Sequence, residues 1–192
     1  ICTFEVTLYL RRNRYSRPEA VTKVVDAQLP ERSPGSQLYA KAGDKGAEGT
    51  ELWTALIEKT VAQHKGSYET IQGGQIGQGG FQFAGTSEML TGKYENYQAT
   101  ANMDEDDCLL TIGAALEGKK PVTAETYDMT NDEAMTKEAA PYNVHGNHAY
   151  APEKVDIDKR TIALQNPWGS DHVAPLDVKL FKKFYKAIRV GS

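Results

Sequence analysis

A chain of 192 residues with 40% hydrophobic and 25% charged side chains is long enough for one domain with a proper core. Its net charge of −4 leaves no basic footprint, so neither nucleic acid nor an anionic membrane is expected as a partner. No apolar run approaches the ~20 residues that span a bilayer.

Two cysteines, Cys2 and Cys108, cannot form a disulfide framework. They favour a reducing, cytoplasmic compartment or a simple bacterial product. The chain starts with Ile rather than Met and carries no signal-peptide pattern, so it reads as a fragment or a processed piece.

Phe4, Val6, Leu8 and Leu10 alternate with Thr3, Glu5, Thr7 and Tyr9, the period of a strand with one wet face. A polar, basic turn from Arg11 to Pro18 follows, and Val21 to Leu29 returns as a second strand ended by Pro30. These two form an expected hairpin, with Arg11, Arg12 and Arg14 as its solvated tip. The stretch Glu31 to Gly49 is rich in Pro, Gly and Ser and holds one short strand candidate, Leu38-Tyr39-Ala40. Thr50 can cap a helix on which Leu52, Trp53, Leu56, Ile57 and Val61 share a face. Trp53 can stack on a ligand, but at this spacing it reads as core. His64 stands near the helix end, where it can cap the last carbonyls.

Gly73 to Gly80 contains five glycines without the Gly-x-Gly-x-x-Gly spacing, which excludes a dinucleotide reading. The run Asp104-Glu-Asp-Asp107 lacks the alternation and central glycine of a calcium loop and reads as a solvated helix start. Cys108 to Gly118 is then a short helix with Leu109, Ile112 and Leu116 on one side. Pro121 to Tyr127 is a strand, Met129 to Ala140 a loop with a helical turn, and Ser170 to Pro175 a loop. Asp177 to Val190 reads as a short helix running into a final strand that closes the sheet.

Two short motifs carry chemistry. His145-Gly-Asn-His-Ala-Tyr150 ends in a histidine entering a strand, and Gln165-Asn-Pro-Trp-Gly169 closes the next strand on an asparagine. The charged segment Lys154 to Lys159 turns the chain between them, and Thr161-Ile-Ala-Leu164 is short and β-prone. Two paired antiparallel strands set His148 beside Asn166. The amide oxygen can then hold one imidazole nitrogen so that the other faces a thiol, the base and orienter of a Cys-His-Asn triad. The alternative is a satisfied strand histidine beside a tight turn. His145, His148 and His172 make a metal trio conceivable, but no carboxylate or cysteine completes a familiar pattern, so no metal is expected.

Asn147-His-Ala-Tyr150 followed by Gln165-Asn-Pro-Trp-Gly169 resembles the histidine and asparagine motifs of calpain-type, papain-like cysteine peptidases. Upstream, Val24 to Pro30, Glu51 to Lys59, Gly66-Ser-Tyr-Glu69 and Gly73-Gly74 resemble the second half of the calpain protease core, in the same order. The resemblance covers about residues 4 to 190. It implies an α+β fold, an antiparallel sheet with flanking helices forming the sheet half of a papain-like core, with residues 1–192 as a single domain. It implies peptide-bond hydrolysis of a protein substrate, with catalytic His148 and Asn166, Trp168 shielding their contact, and Gly146 and Asn147 at the cleft. The nucleophilic cysteine is expected upstream, on the N-terminal half of the core as partner, so this chain alone is expected to be inactive. The family carries calcium-binding acids near the glycine loop, where this chain has Gln75, Gln78 and Gln82. Amides offset the dehydration of a hard dication poorly, so no calcium and no cofactor are expected.

Two other functions fit the same residues: a non-catalytic binding or scaffold module, and a self-contained thiol hydrolase or acyltransferase using Cys108. Cys108 opens a helix and precedes His148 and Asn166 in a workable order. The four preceding carboxylates oppose its thiolate, and its alignment with a later, non-catalytic helix of the family also argues against it.

Overall fold

The computed structural model describes residues 2–12, 16–33, 36–37, 45–46, 49–50, 52–71, 86–168 and 170–192. Leu38-Tyr39-Ala40 and the glycine loop with Gln75, Gln78 and Gln82 lie outside the described residues. The chain divides into two compact units, Ile1–Gly92 and Lys93–Ser192.

In the first unit, β1 (Thr3–Leu10) and β2 (Glu19–Asp26) form the expected hairpin, in unbroken register from Thr3↔Asp26 to Leu10↔Glu19. β2 stops at Asp26, short of the expected end at Leu29. Two small ribbons follow, β3 (Glu31–Ser33) with β4 (Ser36–Gln37), and β5 (Lys45–Gly46) with β6 (Gly49–Thr50). Helix α1 (Trp53–Lys65) and α2 (Thr86–Thr91) supply Val61 and Met89, which meet Leu8 of β1 in a small apolar cluster. The Lys59 ammonium donates to the Asp26 carboxylate at 2.6 Å and to the Gln28 carbonyl at 2.5 Å, fixing the chain where β2 ends.

Two details of α1 differ from expectation. Its N-cap is Leu52 without a side-chain cap, because Thr50 is held in β6. Trp53 is 58% exposed, so it is not a core residue. It occupies the first helical position, and the buried positions of α1 begin at Ala55 and Leu56.

The second unit is an antiparallel six-stranded sheet in the order β11-β10-β9-β8-β12-β7. The strands are β7 (Glu95–Ala99), β8 (Val122–Thr126), β9 (Ala149–Asp156), β10 (Thr161–Gln165), β11 (Val173–Asp177) and β12 (Tyr185–Gly191). The last strand does not close an edge. It inserts between β8 and β7, where Arg189 pairs with the buried carboxylates of Glu125 and Glu95. β7 lies outside the expected elements, because Glu95, Asn96, Tyr97 and Gln98 show no apolar alternation. β11 takes the second half of the expected loop, and its Pro175 is tolerated because β11 is an edge strand.

Helix α3 (Glu105–Glu117) confirms the acidic run as a helix start. Asp104 accepts the Asp107 N–H at 2.7 Å and Asp107 accepts the Asp104 N–H at 3.0 Å, a reciprocal capping box. Arg160 bridges Glu105 and Asp106 at 2.9 and 2.6 Å. The helix buries Cys108, Leu109, Ile112 and Ala115, and α5 (Val178–Phe184) buries Val178, Phe181 and Phe184. Each large apolar side chain so buried contributes roughly 1.5–3 kcal/mol. With α4 (Glu133–Ala139) the architecture is α+β, an antiparallel sheet with flanking helices.

Candidate active site

The site grows from the pairing of β9 with β10. Their register runs from Thr161↔Asp156 to Gln165↔Ala151, with an irregularity between Ala163 and Leu164. His148 lies one residue before β9 and Asn166 one residue after β10, so antiparallel pairing brings these two ends together. Ile162 and Leu164 anchor β10 in the core at 0% and 1% exposure, and this fixes which way its C-terminal end points.

The loop before β9 is held from several sides. Thr126 of β8 donates its N–H to the His148 carbonyl at 2.9 Å, and its hydroxyl accepts the His148 N–H at 2.9 Å. That hydroxyl lies within 2.9 Å of the His145 carbonyl as well. Asn147, in the left-handed region at φ 56°, donates its N–H to the Tyr127 carbonyl at 2.7 Å. The buried Tyr150 hydroxyl accepts the His145 N–H at 2.8 Å and donates to the Asn143 carbonyl at 3.1 Å. A Cβ on Gly146 would sit 2.6 Å from Met129 Cβ, so only glycine fits beside that side chain.

His148 Nε2 and Asn166 Oδ1 are 3.0 Å apart. The same oxygen accepts the Trp168 N–H at 3.1 Å, which identifies it as the amide oxygen rather than the nitrogen. An oxygen can only accept, so Nε2 carries the proton and the lone pair is on Nδ1. Among the described residues nothing hydrogen-bonds to Nδ1. The Trp168 ring lies 4.5 Å from the His148 ring and 4.9 Å from the His145 ring, covering the contact while remaining 61% exposed itself. The Tyr150 ring meets His148 edge-on at 4.9 Å.

Burial holds the His148 pKa below its ordinary value of 6.5, the Asn166 hydrogen bond opposes this, and neighbouring His145 adds to the lowering. The ring is therefore a neutral base near pH 7. Asn166 is 2% exposed, and its Nδ2, like His145 Nε2, is buried without a partner among the described residues.

Thr126, Tyr150 and Met129 are contacts of the candidate site that sequence reasoning misses. Tyr150 is within its reach, since it lies two residues beyond His148 in a period-2 segment. Nothing local marks Thr126 or Met129. The Cys108 thiol does not join the site: it is 0% exposed, and burial, then the nearby carboxylates, push its pKa up to about 11 against Lys182. Among the described residues of this unit, Cys108 makes no hydrogen bond to His148. Among the described residues no three His, Cys, Asp or Glu side chains are grouped to hold a metal ion.

A neutral imidazole, oriented by an amide and unbonded at its second nitrogen among the described residues, is the equipment a thiol-dependent hydrolase needs beside its nucleophile. Residues 12–174 match the calpain family cysteine protease domain. The chain is 32% identical over 157 residues to the calpain-2 catalytic subunit of Gallus gallus, covering 79% of this chain and 20% of that protein. It is 33% identical over 159 residues to the calpain-2 catalytic subunit of Mus musculus and 32% identical over 160 residues to calpain-8 of Mus musculus, with the same coverage. The chain belongs to the calpain family of cysteine proteases. It spans about a fifth of the length of the curated relatives it matches. No helix among the described residues is long and apolar enough to cross a membrane.

Proposed function

We propose that residues 1–192 form the subdomain of a calpain-like cysteine endopeptidase core that supplies the general base His148 and the orienting Asn166. The nucleophilic cysteine lies on a partner half of the core, outside these residues, and the substrate is a protein. The supporting observation is the 3.0 Å contact between His148 Nε2 and Asn166 Oδ1 beneath the Trp168 ring. In the reaction Nδ1 takes the thiol proton, and the thiolate attacks the peptide carbonyl carbon. The imidazolium then returns the proton to the leaving amine nitrogen, leaving a thioester. Water, deprotonated by the same Nδ1, hydrolyses that thioester and regenerates the thiol. Gly146 and Asn147 line the cleft beside the base, and Trp168 keeps water from the His148–Asn166 bond. Two unpaired cysteines suit a cytoplasmic location.

The test is hydrolysis of a fluorogenic peptide under reducing conditions. The longer protein is expected to cleave it and to be blocked by iodoacetamide, and the 192-residue chain alone to show no turnover. Turnover by the isolated chain, blocked by alkylation of Cys108, would replace this reading with a self-contained hydrolase. No turnover by the longer protein would favour a scaffold.

A further inference from the structure

The backbone N–H of Asn166 belongs to a residue only 2% exposed, and no strand partner takes it. Instead it donates to Nδ1 of His172 at 3.1 Å. An imidazole nitrogen accepts only when unprotonated, so in this contact Nδ1 carries no proton and Nε2 is the protonated nitrogen. The main chain that carries this exposed ring is held: the His172 carbonyl accepts from Asn143 Nδ2 at 3.4 Å, and Val173, 2% exposed, opens β11 opposite Leu164 of β10. The chain thus leaves β10 at Asn166 and returns six residues later to cap the N–H that β10 leaves unpaired. Around this asparagine Oδ1 meets His148 and Trp168 and the N–H meets His172, while Nδ2 has no partner among the described residues.

We propose that His172 is a positioning residue for the His148–Asn166 pair, its Nδ1 holding the Asn166 main chain so that Oδ1 meets His148 Nε2. This rests on the peptidase reading for its catalytic consequence, but not for its geometry. A buried N–H without an acceptor is costly, and the cheapest relief is to rotate the Asn166 peptide toward water. That rotation carries Oδ1 away from the imidazole. The Trp168 contact cannot prevent it, since it lies within the same turn and moves with it.

Two variants separate acceptor from bulk. The amide introduced by His172→Asn places its Oδ1 where Nδ1 stands, and His172→Leu fills similar space without an acceptor. In the longer protein, His172→Leu should lower kcat for a peptide substrate about 10- to 100-fold with KM and Tm near wild type, and His172→Asn should restore it. Two-bond 1H–15N spectra of the imidazoles supply a readout independent of turnover. Wild-type His172 should be protonated at Nε2 and His148 at Nε2, and the His148 tautomer should become mixed in His172→Leu but not in His172→Asn. Equal kcat for the Leu and Asn variants, or a wild-type His172 protonated at Nδ1, would overturn the proposal. If the longer protein cleaves no peptide, the peptidase reading falls, and the tautomer of His148 in the two variants still decides the role of His172.

Discussion

Asn166 Oδ1 serves two donors at once, His148 Nε2 at 3.0 Å and the Trp168 N–H at 3.1 Å. The second contact makes the first informative. It fixes the amide orientation from the asparagine's own turn, and the amide orientation fixes the imidazole tautomer. The nitrogen left for a thiol is then Nδ1.

Gly146 is the tightest point of the loop that carries His148. A methyl group there meets Met129 Cβ at 2.6 Å, and Met129 is 4% exposed with little room to retreat. Gly146→Ala is expected to lower stability by about 1–3 kcal/mol, read from urea unfolding. Adding Met129→Ala should recover part of that loss, although the methionine deletion is destabilising in its own right. A double variant no better than the sum of the singles would refute the clash.

Cys108 should be inert. Its side chain lies in the core and its thiol is pushed up to about 11, so almost no thiolate exists at pH 7. Iodoacetamide on the folded chain should modify the exposed Cys2 and leave Cys108 untouched, as read by mass spectrometry. Both should react in denaturant. Rapid modification of Cys108 in the folded state, lost in His148→Ala, would make it the nucleophile.

His148 should titrate below 6.5, chiefly because its burial disfavours the cation. As pH falls through 6.5 the unfolded chain takes up a proton that the folded chain resists, so stability declines with acidity in that window. Above 6.5 this residue contributes no pH dependence. NMR titration of the ring Cε1–H gives the midpoint directly, and Tm of His148→Gln should fall less steeply than wild type below 6.5. Trp168→Ala should raise the midpoint toward 6.5 by admitting water, while changing stability by no more than about 0.5 kcal/mol, since the indole is 61% exposed. A midpoint that does not move would remove Trp168 from its shielding role.

Much of this arrangement was legible in the chain. The β1 alternation around Leu8, the acidic start of α3 and the strand pair joined by the turn expected at Lys154 to Lys159 are local patterns, although β9 runs on through Lys154 to Asp156 and the turn begins only after it. The adjacency of His148 and Asn166 followed from one turn and one antiparallel pairing. What failed was non-local or compensated. β7 carries Glu95, Asn96 and Gln98 because an edge beside Arg189 needs charge and hydrogen bonds rather than alternation. β11 was hidden by Pro175, which an edge tolerates. Trp53 sits at a helix start, where helical spacing does not decide burial. Thr126 holds the histidine loop from 22 residues away, a contact that no spacing encodes.

The most direct test of the central claim is kcat/KM for peptide cleavage by the longer protein carrying His148→Ala, with Tm as the control for folding. The account predicts a loss of about 100- to 10,000-fold at unchanged Tm, the range a positioned general base contributes. Asn166→Ala should lose less, because the imidazole remains but is no longer held. A folded His148→Ala protein that cleaves peptide as fast as wild type would contradict the assignment of His148 as the base.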